Sequence, residues 1–271
     1  MMKKIILVLI GLSLFLILTG CGEDKKNVAP DNTLVIGMEL AYPPFEMTDK
    51  DGKPAGISVD MAEALGKYLK RPVRIENISY GGLIPALITK KIDIVLSSMT
   101  ISEERKKTVA FSDPYCKSYL TLLVSSQSDV KSAQDLNQTG RKVAVKKGTT
   151  GYLYALKNLT KAEVLVFDKE SACVLEVTQG RADAFIYDQM TVFKNWQQNP
   201  ETTRAILTPI DDYEYWGIAL RKEDTELKGQ INAFIKQYEE QKGFEKLAEK
   251  NLVEIKKEFT KRGLPFFFSS K

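Results

Sequence analysis

The residues of this sequence that could do chemistry stand just past its short apolar runs. Arg105 closes the segment Ser98-Met99-Thr100-Ile101-Ser102-Glu103-Glu104-Arg105, in which Ser102 can cap a helix and the two glutamates fill its first turn. With Thr100 and free backbone amides beside it, the guanidinium fork suits a carboxylate. The same spacing also fits a surface arginine paired with Glu103 or Glu104. Asp188 follows Ala184-Phe185-Ile186-Tyr187 and could take an ammonium group, or cap a helix beginning at Gln189. Glu39 follows the first apolar run and would bring a second acid into a cleft if it points inward. Tyr42, Phe45 and Tyr80 lie in or beside loops, where aromatic faces can sandwich an aliphatic stem or a cation, although core packing is the default for Phe45.

Other chemistries are excluded. The chain has no histidine, so Ser-His-Asp and Cys-His nucleophiles and imidazole zinc sites are ruled out. There is no Walker loop, CxxC pair or GxGxxG opening a helix. No cofactor and no metal are expected. Cys116 and Cys173 are read as two separate buried thiols.

Elements that could position these residues alternate along the chain. Strand candidates are Leu34 to Gly37, Val73 to Ile78 and Ile92 to Ser97, with helical periods over Val59 to Leu69, Leu83 to Thr89 and Glu103 to Val109. The pattern restarts after Tyr119 to Val124. Val143 to Val145, Val164 to Phe167 and Ala184 to Tyr187 read as strands; Gly151 to Lys157, Ser171 to Gln179 and Gln189 to Gln198 read as helices. Trp216 to Leu220 is one more strand candidate, and Leu227 to Lys256 reads as helical with a break at Gly243. Such units favour parallel sheets with ligands at the carboxyl ends of strands. The positions to watch are therefore Met38 to Phe45, Ser97 to Arg105, Lys146 to Gly151, and Asp188.

The N-terminus carries its own signal. Lys3 and Lys4 precede an apolar run from Ile5 to Leu18, and Leu18-Thr19-Gly20-Cys21 closes it. This resembles a bacterial lipoprotein signal, which implies cleavage before Cys21, lipidation of that cysteine and loss of residues 1–20. Residues 21–32 would be the lipidated cysteine and a polar tether. Cleavage leaves 37 basic against 35 acidic residues, a balance without a basic block that implies no nucleic-acid partner.

Beyond the tether, ordered motifs carry a second resemblance. They are Ala41-Tyr42-Pro43-Pro44-Phe45-Glu46 with Gly56-Ile57-Ser58-Val59-Asp60, then Gly82-Leu83-Ile84-Pro85-Ala86-Leu87 with Ile92-Asp93. Ser98 to Lys106 follows, with Phe111-Ser112-Asp113-Pro114-Tyr115, Val143-Ala144-Val145-Lys146 with Gly148-Thr149-Thr150, and Gly180-Arg181-Ala182-Asp183-Ala184 running to Asp188. From Thr33 to about Phe259 the chain resembles the polar-amino-acid solute-binding proteins of ABC importers, bacterial extracellular family 3, with the type II periplasmic-binding-protein fold. The resemblance implies an α/β protein of two lobes, each a mainly parallel sheet flanked by helices. Lobe one would comprise residues 33–118 and 214–271, lobe two 119–213, with crossovers near Tyr115 to Leu120 and Asp212 to Trp216.

It also implies roles. Arg105 would bind a ligand α-carboxylate with Thr100 and Thr150; Asp188 and Ser98, with Ser97 beside them, would hold the α-ammonium. Tyr42 and Tyr80 would flank the side chain and Glu39 would reach its far end. Glu39 is more often aspartate in this family, and Pro265-Phe266-Phe267-Phe268 lies outside the common core. The expected function is a monomeric, lipid-anchored receptor facing the periplasm or cell exterior. It would bind an L-amino acid, by preference lysine or arginine, and deliver it to an ABC permease. Alternatives are a cyclohexadienyl dehydratase on the same fold and a ligand sensor for a membrane signalling partner.

Overall fold

The structure, a computed structural model, describes residues 32–268; the leader, Cys21 and most of the tether lie outside the described residues. The chain begins with β1 (Leu34–Met38), whose Leu34, Ile36 and Met38 are buried completely. A small hairpin of β2 (Met47–Thr48) and β3 (Pro54–Ala55) leads into α1 (Ile57–Leu69). Gly56 makes that entry at φ 116, with the Phe45 carbonyl so close that no side chain fits. Helix α1 buries Ile57, Met61, Ala62 and Leu65, spaced for one face of a helix. Next come β4 (Val73–Asn77), α2 (Leu83–Ile88), β5 (Ile94–Val95), α3 (Glu103–Lys106) and β6 (Ala110–Phe111).

The chain then crosses through β7 (Cys116–Ser118) and builds a second unit. It contains β8 (Leu120–Ser125), β9 (Lys142–Lys146), α4 (Thr150–Asn158), β10 (Glu163–Phe167), α5 (Glu170–Thr178), β11 (Ala184–Asp188), α6 (Gln189–Gln198) and β12 (Thr203–Ile206). It returns through β13 (Glu214–Trp216), which pairs antiparallel with β7, and enters the first sheet as β14 (Ala219–Leu220). Helices α7 (Thr225–Glu240), α8 (Gly243–Asn251) and α9 (Val253–Lys261) follow.

The two sheets share one plan. Their orders are β4-β1-β5-β14-β6 and β10-β9-β11-β8-β12. In each, the first three strands are parallel, and a strand that has just crossed between the units inserts antiparallel to both its neighbours. The fold is thus the expected two-lobed α/β architecture, but the sheets are mixed rather than mainly parallel. A crossing strand enters its new sheet from the end opposite to the one at which that sheet's own βα units start.

Several element boundaries differ from the periodicity. The Trp216 to Leu220 run splits, because Gly217 donates to the Met99 carbonyl and Ile218 to the Ser112 hydroxyl instead of continuing one ladder. The C-terminal helical stretch breaks at left-handed Lys242 and again at Leu252, giving three helices instead of two. The strand expected over Ile92 to Ser97 keeps only Ile94–Val95 as ladder, leaving the next residues for the cleft.

The Phe-rich tail belongs to the core. Phe267 is 1% exposed and packs its ring against Phe45, Trp216 and Phe259, with centroids 5.5, 5.9 and 6.2 Å away. Its carbonyl accepts a hydrogen bond from the Lys117 amide on β7 at 3.1 Å. Truncating such a ring leaves a cavity that neighbours fill only in part, so Phe267→Ala should lower unfolding stability by about 3–5 kcal/mol in a urea titration.

Candidate functional site

The strand ends of both sheets face one cleft. Glu39 follows β1, Ser97 and Ser98 follow β5, Lys146 ends β9 and Asp188 ends β11. Eight of the nine positions singled out from the sequence line a single cavity: Glu39, Tyr42, Tyr80, Ser97, Ser98, Thr100, Thr150 and Asp188. Arg105 lies against it, through bonds to Tyr80 and Thr100. About 40 Å³ of free space remains between these side chains.

Arg105 is 7% exposed. Ser102 caps α3 by accepting from the Arg105 amide, as its spacing suggests, but the helix ends at Lys106 instead of running to Val109. The guanidinium donates to the Thr100 carbonyl at 2.6 Å, the Gly148 carbonyl at 3.0 Å and the Tyr80 hydroxyl at 3.4 Å, and lies over the Tyr80 ring. Glu103 and Glu104 pair instead with Lys106 and Lys107, which removes the surface-pair alternative. Among the described residues no carboxylate forms an ion pair with Arg105. A guanidinium taken out of water with only neutral acceptors is a strong anion-binding group.

Asp188 caps a helix and also faces the cleft. Its Oδ1 accepts from the Met190 and Thr191 amides at 2.9 and 3.1 Å, capping α6, while the residue lines the cavity at 8% exposure. Burial raises its pKa, and the amide donors pull it back. Ser98 sits in a left-handed conformation at φ 48, and its hydroxyl donates to Glu46 at 2.8 Å. Ser97 instead accepts from the Glu39 amide at 3.0 Å.

Glu39 is not a free charge. Its carboxylate forms a buried ion pair with Lys146, which comes from the other sheet, and also accepts from the Tyr80 amide at 3.2 Å. Lys146 is 1% exposed, with its ammonium 5.6 Å from the Tyr80 ring centroid. Two acids complete the cleft. Glu46 is wholly buried, accepts from the Ser58 and Ser98 hydroxyls on one oxygen, and has its pKa pushed up to about 8, chiefly by burial. Glu214, on β13, accepts from the Thr100 hydroxyl at 2.8 Å and the Thr150 hydroxyl at 3.0 Å. Sequence reasoning placed Lys146 among the strand-end positions but gave it no role, and it gave none to Glu46 or Glu214. Lys146 had a usable signal, since it ends an apolar strand; Glu214 had none, because its strand becomes visible only through pairing with β7.

The cleft therefore combines two buried cations with four carboxyl groups. It suits a molecule that carries both charges. Among the described residues no cluster of histidine, cysteine, aspartate and glutamate could hold a metal ion, and Cys116 and Cys173 are free buried thiols.

The model for bacterial extracellular solute-binding proteins, family 3, matches residues 34–254. The chain belongs to that family. This family 3 protein is 35% identical over 216 residues to an L-arginine-binding protein of Pseudomonas aeruginosa, covering 76% of this chain and 83% of the relative. It is 31% identical over 227 residues to an L-cystine-binding protein of Escherichia coli, covering 83% and 84%. Its fold matches the crystal structure of an ancestral amino acid-binding protein, described as a precursor of cyclohexadienyl dehydratase, with a TM-score of 0.73 and 39% identity over 81% of this chain and 95% of that one. The family is extracellular, and among the described residues no helix is long and apolar enough to cross a membrane.

Glu46 carries a pH signature. A carboxyl raised from 4.5 to about 8 favours the folded state fully below its unfolded value, and that contribution is lost as pH rises through 8. The melting temperature of the wild type should fall between pH 5 and pH 8.5, by at most about 1.4 kcal/mol of stability per pH unit from this one proton. Glu46→Gln should flatten that slope in a thermal melt series, the difference isolating Glu46 from other acids with raised pKa values, such as the half-buried Glu170 on α5, pushed up to about 7 by desolvation.

Proposed function

We propose that this protein is the receptor of an amino-acid ABC importer, tethered outside the cytoplasm by a lipid on Cys21, and that it takes an L-amino acid between its two lobes. The observation that carries this reading is the buried Arg105 guanidinium without a carboxylate partner, beside a cavity that also holds the buried carboxylate of Asp188. An α-carboxylate satisfies the first and an α-ammonium the second. Lobe one would comprise residues 33–118 and 214–271 and lobe two 119–213, with closure about β7 and β13. Its partners would be the permease and the membrane surface, and the receptor would act as a monomer.

The three carboxyl groups of Glu39, Asp188 and Glu214 outnumber the two cations even with Glu46 set aside as protonated near neutral pH, and together with the arginine-binding relative this supports a cationic ligand side chain, lysine or arginine, flanked by Tyr42 and Tyr80. One observation favours a second reading. Because Lys146 already neutralises Glu39, a neutral polar side chain could bond to the pair without having to break it. Binding rather than catalysis is the better reading, since the dehydratase-related neighbour is itself an amino acid-binding protein and the four acids of the cleft are each engaged by donors of the protein.

Calorimetry against the L-amino acids tests the assignment. Arg105→Ala should cost about 2–5 kcal/mol of binding, because a buried carboxylate would lose its partner; wild-type affinity in that variant would remove Arg105 from the site. Lys146→Met should strengthen arginine relative to glutamine if a cation must reach Glu39, and weaken glutamine if the pair itself is the contact. Cys21→Ala should shift the protein from the membrane to the soluble fraction on cell fractionation.

A further inference from the structure

One carboxylate oxygen in the cleft has partners from opposite sides. Glu214 Oε2 accepts the hydroxyl of Thr100, which follows β5 of the first sheet, and the hydroxyl of Thr150, the first residue of α4 on the second. Glu214 itself belongs to β13, one of the two strands that connect the sheets. A single side chain thus ties together both walls of the cleft and the connection between them. Burial pushes its pKa up, opposed by the Thr150 and Thr100 hydroxyls and then by the field of Arg105.

The donors matter as much as the acceptor. A ligand carboxylate brought to Arg105 needs further donors, and the two nearby threonine hydroxyls are already committed to an anion of the same chemistry. Two carboxylates sharing those hydroxyls would repel, and neither hydroxyl has a second proton to give. We propose that Glu214 is a built-in surrogate for the ligand carboxylate: it bridges Thr100 and Thr150 to hold the cleft closed, and it must be displaced when an amino acid binds. This rests on the reading of the cleft as an amino-acid site. Glu214 then sets affinity without contributing to it, because the ligand must overcome a competitor that is always present at the site.

Two variants separate charge from bridge. Glu214→Gln keeps the shape and removes the charge; Glu214→Ala removes the bridge. Each is stripped of bound amino acids by unfolding and refolding, and its melting curve establishes that it is folded. Affinity is measured by calorimetry against arginine, lysine and glutamine. Closure is measured by electron–electron distance between spin labels at Glu63→Cys on α1 and Lys157→Cys on α4, exposed positions in a protein whose own two described thiols are buried. The expected result is affinity at least tenfold tighter in both variants, with a longer mean distance in stripped Glu214→Ala than in the stripped wild type.

Weaker binding in both variants with an unchanged distance overturns the proposal and makes Glu214 a direct contact of the ligand. If no amino acid binds even the wild type, the functional reading fails; the distance shift in Glu214→Ala then still upholds the bridge, and its absence overturns the bridge as well.

Discussion

Everything in this fold depends on the antiparallel pair β7 and β13. The chain leaves the first sheet before that sheet is complete and must return to finish it, so two strands have to run side by side between the units. That single constraint accounts for the antiparallel insertion in each sheet and for the splitting of the Trp216 to Leu220 run. It also explains why the tail matters: Phe267 closes over Trp216 and bonds to Lys117, so the end of the chain buttresses the connection between the sheets.

The same topology makes the cleft. The parallel strands of both sheets end toward one cavity, and loops at such ends need not complete a ladder, which frees side chains such as Ser97, Ser98 and Thr100 to turn inward. Apolar contact joins the two walls where Tyr42 meets Tyr187 and Phe193 meets Phe259, and the remaining bonds across the cavity are polar. Glu39 with Lys146, Arg105 with Gly148, and Glu214 between Thr100 and Thr150 are all of this kind. Polar contacts can be exchanged for contacts with a ligand at small net cost.

Electrostatically the cleft is organised by burial more than by ion pairing. Only one of its cations has a carboxylate partner, and three acids, Glu46, Asp188 and Glu214, are held by hydroxyl or amide donors while burial pushes their pKa values up. Charges arranged in this way are costly in isolation and become favourable when a partner of opposite sign completes them. A zwitterion supplies partners of both signs to such an arrangement, which a neutral or singly charged molecule does not.

Much of this was legible in the residues alone. Short apolar runs and period 3.6 patterns located most of the strands and helices, since burial of apolar side chains is a local demand that each segment must meet by itself. The strand-end rule, sharpened by a family resemblance, brought Arg105, Asp188, Thr100 and Tyr42 to one place. What remained invisible was pairing. Whether Arg105 met Glu103 or a cavity, whether Glu39 stood free or faced Lys146, and which hydroxyls Glu214 would bridge each depends on two segments far apart in the chain. The sequence by itself determined the elements and the charges available, because those follow from neighbours in the chain. Only the tertiary structure decided which charges are satisfied, because a carboxylate is neutralised by whatever the fold places within hydrogen-bonding distance of it.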